Sequence, residues 1–314
     1  MYCVLIYNPV SGRKLSRRAE QIRQVAAALS DLGHRVEIVA TTAAGTATDQ
    51  SRQAVRDGAN IVFACGGDGT IHEVVQGLVS ETGLTAAALG IIPLGSANAL
   101  ARHLRLSLDP IKAALQQIDC TAKRIPVGRI KFDGQVRYFT VMTGAGPDGA
   151  LVYDLLTSHK SRIGRMAYYL HAARLFATRH FAPFAVAYVD AESGARVTTT
   201  AVSAMAVRVD SLGGLFSKLT NGSAHVQDAT MKLLILSHPA WLALPLWFIS
   251  GWLHIHGLNR FLRSVRVTSF SCRPLSSRSA HFQADGEWLG RIPMEVSLIP
   301  DALRMLMPVP YKQG

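Results

Sequence analysis

One segment constrains this chain more than any other: Val62-Phe63-Ala64-Cys65-Gly66-Gly67-Asp68-Gly69-Thr70-Ile71-His72-Glu73-Val74. An apolar, β-prone run enters a glycine cluster and leaves it in a helical pattern. A buried strand that turns at once into a helix belongs to a parallel sheet, because parallel neighbours need a crossover and a helix supplies it. Glycine permits positive φ and lets the backbone come close to an anion, so successive N–H groups can point at phosphate oxygens. The start of the following helix adds a partial positive charge and unpaired donors. Asp68 sits among those donors, where a carboxylate is a poor direct partner for phosphate; Mg²⁺ or a proton suits it better. The alternative use of such a segment is a tight turn that binds nothing. Neither the G-x-x-x-x-G-K-[ST] nor the G-x-G-x-x-G pattern is present.

The surrounding pattern alternates. Strands are predicted at 3–7, 35–40, 60–65 and 86–92, with helices at 17–32, 47–57 and 70–79. The first helix carries Ile22, Val25, Ala26, Leu29 and Leu32 at helical spacing, and Gly33 closes it. From about residue 125 the texture changes to β-branched or alternating runs at 136–143, 184–189, 197–209, 231–236, 265–271 and 294–299. Helical insertions are predicted at 162–179 and 241–256. The fold class expected is α/β: a parallel-sheet nucleotide-binding domain followed by a β-sandwich domain, with the boundary near 120–126.

Two further loops leave carboxyl ends of strands in the same sheet, where ligands bind in such folds. Asn8-Pro9-Val10-Ser11-Gly12-Arg13-Lys14 offers a glycine and two cations for phosphate charge, or merely a turn into a helix. Pro93-Leu94-Gly95-Ser96-Ala97-Asn98 offers hydroxyl and amide groups at a helix start, where capping is the ordinary use. Convergence of the three loops points to a nucleotide site.

The chain's 33 Lys+Arg against 21 Asp+Glu give a formal net charge of +12 over 314 residues. Such a surface favours polyanions, but the cations are scattered and no nucleic-acid motif accompanies them, so no nucleic-acid partner is expected. The cysteines Cys3, Cys65, Cys120 and Cys272 are far apart, which argues against a zinc site or disulfide framework and fits a reducing cytoplasm. The N-terminal apolar run is too short for a signal peptide. The apolar segment 241–253 is shorter than the ~20 residues that span a bilayer; a core helix and a membrane-touching interfacial helix are both open for it.

Taken together, Asn8-Pro9-x-Ser11-Gly12, Gly66-Gly67-Asp68-Gly69-Thr70 and Pro93-Leu94-Gly95-Ser96-Ala97-Asn98 resemble the catalytic domain of the diacylglycerol kinase and sphingosine kinase superfamily, most nearly its bacterial soluble lipid kinases. Gly144-Ala145-Gly146-Pro147-Asp148 and Asp285-Gly286-Glu287 are similar, more loosely, to its second-domain motifs. The resemblance implies an ATP-binding domain (1–122 and 303–314) and a lipid-substrate domain (123–302), with the active site in the cleft between them. By the same resemblance Asn8, Ser11, Gly12, Lys14, Thr42, Gly66, Gly67, Asp68, Gly69, Thr70, Ser96 and Asn98 would contact ATP. Asp148 and Asn98 would face the acceptor lipid. Asp285 would take the acceptor's proton, with Asp68 in the same acidic network, and Asp68 and Glu287 would serve Mg²⁺.

ATP and Mg²⁺ are thus the implied cofactors, and a lipid alcohol at an anionic membrane surface the implied partner, with a homodimer compatible. Where diacylglycerol-kinase-like members carry Gly-Asn-Asp, this chain reads Ala97-Asn98-Ala99. Around 71–74 and 98–101 it is more similar to the sphingosine kinase branch. The metal-binding Asp-Asp-Gly turn of many bacterial members is replaced by Gln227-Asp228-Ala229. An NAD kinase, which shares Gly-Gly-Asp-Gly-Thr, is the alternative enzyme; a non-catalytic binding protein on the same fold is the alternative of another class.

Overall fold

The computed structural model describes residues 1–9, 17–79, 86–157, 172, 174–175, 178–210, 224–237 and 261–308. The chain forms two compact units, Met1–Val127 with the residues from Ile299 onward, and Gly128–Leu298. The division falls at 127/128 and 298/299 rather than at 122/123 and 302/303. Two long strands run unbroken through both points, so no element ends where the sequence texture changes.

The first unit begins β1(Tyr2–Tyr7), α1(Arg18–Asp31), β2(Arg35–Ala40), α2(Thr46–Arg56), β3(Ile61–Gly66), α3(Asp68–Leu78) and β4(Ala88–Pro93). Two helices follow, α4(Ala99–His103) and α5(Pro110–Ile118), and then β5(Ala122–Phe132), which continues into the second unit. The sheet is parallel with order β4-β3-β1-β2. Both β3 and β4 are buried along their whole length, as central parallel strands covered on both faces must be. Helix α1 forms because Ile22, Val25 and Leu29 recur on one face, and it buries them against Cys3, Leu5 and Phe63. Gly33, at φ 80°, ends it. The wholly buried Gln117 of α5 acts as a substitute strand partner: its amide accepts from Ile91 N–H at 2.8 Å and donates to Ile91 C=O at 2.7 Å.

The second unit contains β6(Gln135–Phe139), β7(Met142–Ala145), α6(Pro147–Thr157), β8(Phe184–Asp190), β9(Arg196–Ala201), β10(Ser203–Val207), β11(Met231–Leu236), β12(Leu262–Pro274), β13(His281–Ala284), β14(Glu287–Arg291) and β15(Met294–Leu306), whose end lies in the first unit beside β4. The pairings within it are antiparallel. One layer runs β14-β13-β7-β10-β11-β12; the other holds β9, β8, β12, β15, β5 and β6. Strand β12 serves both. Its first half pairs with β11, its second with β8 and β15, and the register shifts between Val267 and Phe270. A shift of that kind bends the strand and turns the corner of a β-sandwich. Phe132, Phe139, Phe184, Phe270 and Phe282 fill the interior.

Three sequence expectations change. The strand expected at 136–143 is two strands, β6 and β7, because a carboxylate takes the N–H groups between them. The run 197–209 breaks at Val202, whose N–H goes to Leu236 O. Helix α4 starts where the 93–98 loop pointed to a helix start, whereas α5 and α6 lie where none was expected. The segment 241–253 and most of 162–179 fall outside the described residues. Among the described residues, no helix is long and apolar enough to cross a membrane.

Candidate active site

In the first unit the strand order reverses between β1 and β3: the chain leaves β1 for β2 on one side and returns to β3 on the other. Carboxyl ends at such a switch point open a crevice for a ligand. Asn8 N–H donates to Cys65 O at 3.3 Å across this point. It thus stands beside Gly66 and Gly67, where β3 ends and α3 begins at Asp68. Ser11, Gly12 and Lys14 lie outside the described residues.

Glycine here serves close approach rather than positive φ. None of Gly66, Gly67, Gly69 or Gly95 is in the left-handed region. A Cβ on Gly66 would lie 2.3 Å from Thr70 Oγ1, and one on Gly95 would lie 2.5 Å from Gly67 Cα. The 66–70 loop and the 93–98 loop therefore touch backbone to backbone. Gly95→Ala is expected to weaken ATP binding about tenfold or more, since overpacking a rigid contact costs ~1–3 kcal/mol. Isothermal titration with ATP checks this.

Asp68 binds the two loops together. Its Oδ1 accepts from Ala99 N–H at 2.7 Å and its Oδ2 from Asn98 N–H at 2.9 Å, which caps the start of α4. Asn98, held at φ 50°, folds its own amide onto Gly95, accepting from the N–H at 2.9 Å and donating to the C=O at 3.0 Å. Its side chain is thereby buried and committed to the loop. From α1, the buried Arg18 donates through Nη2 to Leu94 O at 2.6 Å and clamps the same loop. Ser96 and Thr42 are exposed, with Thr42 N–H held by Thr46 Oγ1 at 3.3 Å. Glu73 of α3 accepts from Ala47 N–H at 3.2 Å and so anchors the start of α2, below the Thr42 turn.

In the second unit Asp285 and Gly286 form the β13–β14 turn, both at positive φ. The Asp285 carboxylate takes Val141 and Met142 N–H on Oδ1, each at 2.9 Å. Its Oδ2 takes Thr140 N–H at 2.8 Å and Thr140 Oγ1 at 3.3 Å. A carboxylate has about four lone-pair positions, and this arrangement fills them all. The resemblance implies proton transfer for Asp285; in the structure its carboxylate holds the β6–β7 connection. Glu287, half-buried, follows in β14.

Asp148 lies in the first turn of α6. Its Oδ2 accepts from Gln283 Nε2 at 3.1 Å, while Oδ1 is enclosed without a hydrogen-bond partner among the described residues. Burial pushes its pKa up to about 6, against the pull of the Gln283 bond. Because the folded value exceeds the unfolded one, this group's stabilising contribution is present at low pH and lost as pH rises between about 4 and 6. Asp148→Asn is therefore expected to be more stable than the parent above pH 6, by on the order of 2–3 kcal/mol. The two should converge below pH 4, as urea unfolding at pH 4, 6 and 8 will show.

Sequence reasoning missed Arg208, Gln283 and Arg18. Arg208 is wholly buried: Nη2 donates to Val226 O at 2.6 Å, and Nε and Nη1 have no hydrogen-bond partner among the described residues. Burial pushes its pKa down to about 10, while Asp285 and Asp228 pull the other way. A lone Arg inside the β-branched run Val207-Arg208-Val209 was the available signal. Asp228, in the Gln227-Asp228-Ala229 segment, accepts from His225 N–H at 3.0 Å and pairs with Arg266 at 3.5 Å. Among the described residues, no group of three or more His, Cys, Asp or Glu is placed to hold a metal.

The chain is similar to several known proteins. The family described as the diacylglycerol kinase catalytic domain matches residues 2–130. The diacylglycerol kinase of Bacillus subtilis (strain 168) is 32% identical over 233 residues, 74% of this chain and 72% of that protein. The Staphylococcus carnosus (strain TM300) diacylglycerol kinase is 26% identical over 294 residues, 92% of this chain and 89% of that protein. A crystal structure described as a diacylglycerol kinase from Bacillus anthracis str. Sterne has the same fold, with a TM-score of 0.72 at 20% identity, covering 98% of this chain and 96% of that one. At 32% identity to the Bacillus subtilis enzyme over 74% of this chain and 72% of that protein, this chain belongs to the diacylglycerol kinase family.

Proposed function

We propose that the protein transfers the γ-phosphate of ATP to a hydroxyl of a lipid: diacylglycerol, a sphingoid base or a related lipid alcohol. The observation that carries this reading is the Asp68 knot, which joins the glycine loop and the 93–98 loop into one rigid, donor-rich surface at the switch point. Phosphoryl transfer asks chiefly for positioning and for charge around the phosphates. Gly66 to Thr70 would hold the phosphates through backbone N–H groups at the start of α3. Asn8, Ser11, Gly12, Lys14, Thr42, Ser96 and Asn98 are the further candidates for the nucleotide. Mg²⁺, when bound with ATP, would neutralise phosphate charge, with Asp68 and Glu287 as its candidate carboxylates.

In the reaction the lipid oxygen bonds to the γ-phosphorus as the bond to the β–γ bridging oxygen breaks, and the hydroxyl proton leaves to a base. Asp285, with its acceptor positions engaged, is better suited to holding the β6–β7 connection than to receiving that proton. Asp148 belongs on the acceptor side of this proposal. The net charge of +12 supports docking on an anionic membrane.

Labelled phosphate transfer from Mg²⁺-ATP across diacylglycerol, monoacylglycerol, sphingoid bases, ceramide, phosphatidylglycerol and NAD tests the reading. Transfer to at least one lipid alcohol and none to NAD is expected. Transfer to NAD alone, or binding of ATP and lipid without transfer, overturns it.

A further inference from the structure

Gln283 stands between two of the second unit's candidate groups. It lies on β13 two residues from the turn and is almost fully buried, at 2% exposure. Strand alternation sends Phe282 and Ala284 into the sandwich core and Gln283 to the opposite face. Helix α6 presses on that face: a Cβ on Gly149 would lie 2.4 Å from His281 O. The Gln283 amide donates through Nε2 to Asp148 Oδ2 at 3.1 Å, and its Oε1 accepts from Gly286 N–H at 2.9 Å. Thr143 Oγ1 of β7 donates to the Gln283 C=O at 2.7 Å. One uncharged side chain thus ties the first turn of α6 to the Asp285-Gly286-Glu287 turn.

We propose that Gln283 is a positioning residue for phosphoryl transfer, setting the orientation of the Asp285–Glu287 turn relative to Asp148 through its two-sided amide bridge. The proposal rests on the lipid kinase reading above. An amide is required because one end must donate to a carboxylate while the other accepts from a backbone N–H. The titratable neighbours are few. Strand β12 brings Cys272, whose thiol burial and Asp148 push up; β13 brings His281, on the same face as Gln283; β14 brings Glu287.

Two variants test it. Gln283→Leu removes both bonds. Gln283→Glu keeps the acceptor for Gly286 but sets a second carboxylate against Asp148, and two carboxylates so close share one proton only at lower pH. With wild-type ATP KM retained, Gln283→Leu is expected to lower kcat about 10- to 100-fold at every pH, the scale on which misplacement by ~1 Å acts. It should also speed hydrogen exchange at the Gly286 amide. Gln283→Glu is expected to work nearly as the wild type at pH 6 and to fall toward Gln283→Leu by pH 8, with Gly286 still protected. An active wild type with unchanged Gln283→Leu turnover overturns this inference alone, as does a Gln283→Glu defect equal at all pH values. A wild type that binds Mg²⁺-ATP but phosphorylates no lipid overturns both this inference and the lipid kinase reading.

Discussion

Asp285→Ala is expected to destabilise the second unit by about 3–5 kcal/mol and to abolish turnover with it. The change leaves the N–H groups of Thr140, Val141 and Met142 without their acceptor, and Thr140 and Val141 are buried. An unsatisfied buried donor costs ~1–3 kcal/mol, and the released connection can relax and hydrate, so the sum stays below three full penalties. The same loss strands Arg208, whose buried charge senses Asp285 and would keep a weaker counter-charge in Asp228. Asp285→Asn keeps one acceptor oxygen but turns an amide NH₂ toward backbone donors, and should fall between the two. Urea unfolding followed at the β13–β14 hairpin, where Trp288 reports locally, measures the effect. A variant as stable as the parent but inactive would instead return Asp285 to the role of base.

Asp68→Ala should behave differently: a loss of turnover of at least ~100-fold with a stability change of only about 1–2 kcal/mol. Each Asp68 oxygen holds one N–H at the start of α4, a cap whose removal typically costs ~0.5–2 kcal/mol. The damage is geometric. Without the knot the 93–98 loop is free to move off Gly67, and catalysis that relies on positioning is sensitive to such movement. Asp68→Asn retains one of the two bonds and should recover part of the ATP affinity without recovering turnover. Steady-state kinetics with ATP and the best lipid acceptor, beside a thermal melt, separates the two contributions. Turnover within a few fold of wild type in Asp68→Ala would remove Asp68 from the machinery.

Much of the first unit was legible because its signals are local. The spacing of Ile22, Val25 and Leu29 and the glycines that stop helices act over one or two turns. So does the apolar run from Ile61 into Gly66. The second unit was legible in texture but not in boundaries. Strands 136–143 and 197–209 read as continuous because their residues all favour extended backbone; only distant partners interrupt them. Helix α6 escaped notice because its docking depends on Gly149 meeting the backbone of His281, a contact that no local pattern shows. Even at the glycine loop, the residue type was right for a partly different reason. The expected positive φ does not occur there, and contact between the 66–70 and 93–98 loops is what excludes side chains.

From sequence alone the chain was an α/β protein with glycine loops gathered at the carboxyl ends of parallel strands, chemistry suited to a nucleotide phosphate, and a β-sandwich to follow. Sequence also named the carboxylates Asp68, Asp148 and Asp285. Only the tertiary structure decided what each carboxylate binds. The partners that occupy Asp68 are backbone N–H groups 30 and 31 residues away, and those of Asp285 lie 143 to 145 residues away. Nearly every residue carries such a donor, so side-chain identity leaves no trace of the pairing. It exists only once the fold has brought those segments together.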